Sequence, residues 1–160
     1  MSSVTGPTTE TATPREPILI CYDDSPDAVR AIEAAAALLG ARRAVVVDVL
    51  PWMTAAESMA ASSSVVPGNA FEELNSAEAQ RIPGRGAEIA RSAGFEAEPR
   101  GELASATWEG IVGVADELDA AVIVIGSRGL TVMKKIFDAS VSQQVAEHAG
   151  RPVLIVPPSR

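Results

Sequence analysis

The sequence predicts an α/β domain built on an open, parallel, five-stranded sheet with helices on both faces. Three observations carry this expectation. Short continuous apolar runs, PILICY (17–22), AVVVDVL (44–50), AVIVIG (121–126) and PVLIV (152–156), have the pattern of strands buried on both faces. The stretches between them place apolar residues at helical spacing. Strands that alternate with helices are joined by right-handed crossovers, which makes the sheet parallel and covers both its faces.

Residues 1–16, MSSVTGPTTETATPRE, are rich in Thr, Ser and Pro and are expected to form a disordered tail before a single domain over 17–160. PILICY is the first strand. Ser25 then caps a helix with Pro26 in its first turn, where a missing N–H costs nothing. Val29, Ile32, Ala36 and Leu39 share one face of that helix, and Gly40 ends it. AVVVDVL is the second strand. The stretch 51–66, PWMTAAESMAASSSVV, lacks periodicity and reads as a mobile loop.

Helical character resumes over about 70–93, but Pro83-Gly84-Arg85-Gly86 falls inside it and is expected to kink or split the helix. FEAEPRG (95–101) reads as a weaker third strand. Residues 104–118 form an amphipathic helix with Trp108, Ile111, Val112, Ala115 and Leu118 on one side. AVIVIG is the fourth strand. SVSQQVAEHAG (140–150) is a helix opened by a Ser140-x-x-Gln143 capping box and closed by Gly150. PVLIV is the last strand, expected on a sheet edge, where an apolar strand invites pairing.

Composition narrows the function. At 160 residues the chain suits one domain with a full core. A formal net charge of −8 argues against nucleic acid and against an anionic membrane surface as partners. Cys21 is the single cysteine, which excludes an intramolecular disulfide and a cysteine-based zinc site. The N-terminus shows no basic flank followed by an apolar stretch, and no segment reaches the roughly 20 apolar residues of a membrane span. A cytoplasmic protein is expected.

The chemistry gathers at strand ends, where ligands of this architecture bind. Gly126 and Gly129 follow the fourth strand and allow a ligand to approach the main chain. The helix opening at Ser140 points N–H groups and partial positive charge outward, and Ser140 and Ser142 add hydroxyls. Arg128, Lys134 and Lys135 could offset phosphate charge, and Asp23 at the end of the first strand could accept from a ribose or an adenine amino group.

Other residues read as structural. His148 fits a helix-terminus or packing role, Cys21 an inert core position and Trp108 core packing. Asp23 and Asp24 are adjacent and point apart, so a metal held by protein alone is not expected, although Mg²⁺ carried by a nucleotide is. No Gly-x-Gly-x-x-Gly follows the first strand and no Gly-x-x-x-x-Gly-Lys-(Ser/Thr) loop occurs, which argues against a dehydrogenase and a P-loop NTPase. No catalytic base is evident, so at most slow ATP hydrolysis is expected and no catalytic residue is assigned.

The first strand ending in Asp23, the block ELDAAVIVIGSRGL (117–130), the ASVS turn (139–142) and the closing HAGRPVLIVP (148–157) occur in an order and spacing that resembles the universal stress protein family over residues 17–157. The family's nucleotide signature is Gly-x2-Gly-x9-Gly-(Ser/Thr). Gly126, Gly129 and Ser140 match it, and Ala139 stands where the third glycine would be. The resemblance implies a Rossmann-like sheet of order 3-2-1-4-5 and binding of ATP or a related adenine nucleotide. Asp23 and the main chain of Val49 would hold the adenosine end. Ile125, Gly126, Ser127, Arg128 and Gly129 would line the ribose and first phosphates, and Ala139, Ser140, Val141 and Ser142 would receive the outer ones. It also implies a homodimer through the last strand, Pro152–Val156, with function exerted by nucleotide-dependent conformation and partner contact. Ala139, Asp138 and Asp24 depart from the pattern and leave a second reading open, an interaction scaffold of the same fold that binds no nucleotide.

Overall fold

The computed structural model describes residues 16–51, 68–127 and 140–158 of the chain. Five strands, β1 (Ile18–Cys21), β2 (Arg43–Pro51), β3 (Glu96–Ala104), β4 (Val122–Gly126) and β5 (Val153–Val156), form one sheet in the order β3-β2-β1-β4-β5. Every pairing is parallel. The connecting helices are α1 (Pro26–Leu39), α2 (Gly68–Ser92), α3 (Thr107–Glu117) and α4 (Val141–His148). The fold is thus the α/β class and strand order expected.

Alternation along the strands divides the core in two. Ile18, Ile20, Tyr22, Ala44 and Val46 face α1 and α2, where they meet Ala31, Ile32, Ala35, Ala87 and Ala90. Leu19, Val45, Val47, Ile123 and Ile125 face α3 and α4, where they meet Ile111, Val114, Ala115 and Val145. Alanines line α1 because small side chains let a helix lie close to a sheet of branched residues. The buried stripe of α1 therefore centres on Ala28, Ala31, Ile32 and Ala35, while Val29, Ala36 and Leu39 pack at its flank.

Ser25 caps α1 as its sequence context suggests: its extended backbone turns into the helix and its Oγ accepts from Ala28 N at 3.1 Å. Ser25 is buried. Ser25→Ala would remove one of two acceptors of Ala28 N–H, which also donates to Ser25 O at 3.1 Å, and is expected to lower the unfolding free energy by about 1 kcal/mol in urea denaturation.

Two elements differ from the sequence expectation. α2 runs without a break across Pro83, so of the expected kink or split the split does not occur. The pyrrolidine ring of Pro83 is fully buried, and Gly86 sits where a Cβ would lie 2.6 Å from the Tyr22 ring and 2.8 Å from Val46. Burial and close packing against the sheet offset the intrinsic cost of Pro and Gly in a helix. β3 is also longer than 95–101 suggests, pairing with β2 without a break from Arg43↔Glu96 to Pro51↔Ala104. It lies on a sheet edge, so half of it meets solvent and its apolar pattern is diluted.

The candidate nucleotide crevice

The sheet order reverses between β1 and β4, with β2 and β3 on one side of that point and β5 on the other. α1, which follows β1, and α4, which follows β4, pack on opposite faces of the sheet, the arrangement that opens a crevice beyond the carboxyl ends of those strands. Asp23 follows β1, Val49 lies near the end of β2, Ile125 and Gly126 end β4, and Ser127 comes next. α4 joins two parallel strands and so runs against them, which returns its amino end, Ser140 to Ser142, to the same end of the sheet. Arg128, Gly129 and Ala139, with Lys134, Lys135 and Asp138, lie outside the described residues.

The local bonds show what holds each group. Asp23 Oδ1 accepts from Ser25 N at 3.1 Å, an Asx turn that fixes the carboxylate beside the cap of α1. Val49 is buried against Gly110 of α3, where a Cβ would fall 2.6 Å from the valine methyl, so its main chain is what remains to meet a ligand. Ile125 is buried on the same face, with Val141 of α4 packed against that core. Ser127 N donates to Val156 O at 2.8 Å, and its buried Oγ has no hydrogen-bond partner among the described residues. Gln143 N and Gln144 N both donate to Ser140 O, and Ser140 Oγ accepts from Gln143 N at 3.3 Å and lies 3.1 Å from Ser142 Oγ. Only half of the capping box forms, because the Gln143 amide donates onward to Glu147 instead. The N–H groups of Val141 and Ser142 then head the helix, at the positive end of its dipole.

Gly126 is glycine for a reason other than backbone freedom. Its φ is not positive; the positive-φ glycines among the described residues are Gly40, Gly94 and Gly150. A Cβ on Gly126 would instead stand 3.1 Å from the carbonyl oxygen of Asp27, in the first turn of α1. The missing side chain lets α1 approach the end of β4.

Asp24, one of the departures from the family pattern, has its carboxylate engaged by neighbouring side chains. Its carboxylate lies on the α2 side, where it accepts from Tyr22 Oη at 3.0 Å and from Arg85 Nη2 of α2 at 2.5 Å. Burial, followed by the hydrogen bond to Asp24, raises the Tyr22 phenol to about 12. An open cavity of about 490 Å³, lined by Tyr22, Asp24, Arg85, Glu88, Ile89 and Ser92, lies on this same face and not at the crevice. Asp48 is buried on β2, and desolvation, reinforced by Asp23, lifts its carboxyl to about 6. Sequence reading overlooked Asp48, Tyr22 and Arg85. For Asp48 the signal is visible as a lone charge inside VVVDVL.

The residues read as structural are placed accordingly. Burial, and secondarily the charge of Asp23, pushes the Cys21 thiol well above its ordinary range, as suits an unreactive thiol. The His148 ring stacks on Trp108 with centroids 4.5 Å apart, and His148 Nδ1 lies 2.8 Å from Gln144 O. Among the described residues no helix is long and apolar enough to cross a membrane.

Comparison with known proteins agrees with this architecture. The model of the universal stress protein family matches residues 14–157. A universal stress protein from Archaeoglobus fulgidus is 26% identical, with 88% of this chain and 97% of that one covered and a TM-score of 0.58. A structure of the universal stress protein from Archaeoglobus fulgidus in complex with dAMP is 24% identical, covering 90% and 99%, with a TM-score of 0.57. A universal stress protein in complex with cAMP is 20% identical, covering 92% and 100%, with a TM-score of 0.61. No curated protein sequence matches the chain significantly.

Proposed function

Because the chain belongs to the universal stress protein family, we propose that it binds an adenine nucleotide, ATP or a close relative, in the crevice between β1 and β4. The observation that carries this reading is the convergence of Asp23, the end of β4 and the amino end of α4 at one end of the sheet. Asp23 and the Val49 main chain take the adenosine end. Ile125, Gly126, Ser127, Arg128 and Gly129 line the ribose and first phosphates. Ala139, Ser140, Val141 and Ser142 receive the outer phosphates, with Mg²⁺ entering on the nucleotide. Free N–H groups at a helix start suit phosphate in spite of the acidic charge of the whole chain.

The dAMP and cAMP complexes of the similar proteins support adenine as the base. Asp24 no longer counts against the reading, since its carboxylate is engaged by Tyr22 and Arg85. The protein acts through conformation and partner contact in a stress response, as a homodimer pairing through β5, which lies on a sheet edge with Ile155 exposed. A domain spanning 17–160 and a cytoplasmic location complete the reading.

The test is calorimetric titration with ATP and Mg²⁺, and separately with dAMP and cAMP, of the parent and of Asp23→Ala. The expected result is saturable binding by the parent and a loss of about tenfold or more on removing Asp23, whose acceptor would leave ligand donors unpaired. Gly126→Asp is a poorer probe, because a side chain there meets α1 whether or not a nucleotide binds. No binding of any of the three nucleotides by the parent would leave the scaffold reading in its place.

A further inference from the structure

We propose that Asp24, Tyr22 and Arg85 form a latch on the far face of the sheet that holds Asp23 in its nucleotide-binding position, and this rests on the nucleotide reading above. Asp24 has φ 65°, in the left-handed region that a residue with a Cβ enters at a cost of roughly 1–2 kcal/mol. Such a conformation persists only where its surroundings over-determine it. Here both carboxylate oxygens are held, Oδ1 by the Tyr22 hydroxyl and Oδ2 by the Arg85 guanidinium. Tyr22 is itself fixed, since it is buried with its ring against the Gly86 backbone and its N–H donates to Val47 O at 2.9 Å. Two consecutive residues of α2, Arg85 and Gly86, thus grip the turn that leaves β1.

That turn is one residue wide on either side of Asp24. Asp23 precedes it, its carboxylate accepting from Ser25 N, and Ser25, the cap of α1, follows it. The left-handed residue stands between Asp23 and the cap of α1, so its backbone angles decide how Asp23 is presented. Freed from the latch, Asp24 has reason to leave the strained region, and the change in its backbone angles swings Asp23. Tyr22, Asp24 and Arg85 are therefore positioning residues, acting on the ligand through Asp23. The Arg85–Asp24 pair is partly open to solvent, with side chains 47% and 32% exposed. Such a pair adds little to global stability. A role confined to folding would make it nearly dispensable, whereas a positioning role shows in affinity.

The experiment is nucleotide titration of the parent, Arg85→Gln, Tyr22→Phe and the double variant, with thermal unfolding alongside. Arg85→Gln is expected to bind ATP roughly fivefold to tenfold more weakly while its melting temperature stays within a few degrees of the parent. Tyr22→Phe should lose affinity in the same direction, and the double variant less than the product of the two losses, because both act through one carboxylate. Tyr22 is the sole tyrosine of the chain, so phenolate absorbance reports on it alone. Replacing Asp24 with asparagine should let that absorbance rise at lower pH than in the parent. A parent that binds and an Arg85→Gln variant that binds within twofold of it would overturn the latch and leave the nucleotide site standing. A parent that binds none of ATP, dAMP and cAMP would overturn both, even if the Tyr22 titration still moved.

Discussion

Asp48→Asn is expected to stabilise the protein at neutral pH relative to its effect at pH 4. The carboxyl of Asp48 is buried on β2, and burial, then the neighbouring Asp23, raises it from 3.8 to about 6. A carboxyl raised on folding binds its proton more tightly in the folded chain than in the unfolded one. Its contribution to stability is fully present below pH 4 and is lost as pH rises through about 6. The loss amounts to at most roughly 3 kcal/mol. Asparagine has nearly the same shape and cannot ionise, so the variant escapes that loss. Urea denaturation of both proteins from pH 4 to pH 8 checks this. The difference between variant and parent should move in the variant's favour across pH 4 to 6 and level off above; a difference independent of pH would show that Asp48 is ionised throughout.

The second large effect concerns Gly84 and Gly86, which lie two residues apart in α2 and should respond oppositely to alanine. At Gly86 a Cβ would press to 2.6 Å on the Tyr22 ring and 2.8 Å on Val46, both buried. The ring cannot swing aside without breaking its bond to Asp24. The helix gains up to about 1 kcal/mol from losing a glycine, but overpacking of this kind costs typically 1–3 kcal/mol and here outweighs it. At Gly84 nothing lies within 4 Å of the added atom, so only the helical gain remains. Gly86→Ala should therefore unfold at lower urea concentration than the parent and Gly84→Ala at higher. Equal shifts in one direction would mean that α2 does not rest on Tyr22.

The same helix shows where sequence reading succeeds and fails. The inner strands β1, β2 and β4 announce themselves as apolar runs because helices cover both faces of the sheet there, and β5 does so although Ile155 is exposed on its edge. The cap at Ser25 is legible because its chemistry is local, a hydroxyl three residues from the N–H it satisfies. Pro83 and Gly86 mislead because their local preference opposes a helix, and the burial that overrides it involves β1 and β2, 60 and 40 residues away in the chain on the order of magnitude. Asp24 misleads in the same way. Its charge suggests repulsion near a phosphate, but its carboxylate is taken up by Tyr22 and by Arg85, a partner 61 residues away in the chain. Gly126 is recognisable as a required glycine, yet only the packing of α1 gives the reason.

The two borders of the sheet differ in kind. Along β3, Glu96, Glu98 and Pro99 are exposed, two charges and a residue with no N–H to offer, and these discourage any further strand. Along β5 the sequence VLIV carries no charge. In the proposed pairing through β5, the charged border at β3 offers no second receptive edge among the described residues, so the assembly would close at two chains. An apolar border strand on the proposed pair would thus end in a closed dimer and not in a filament.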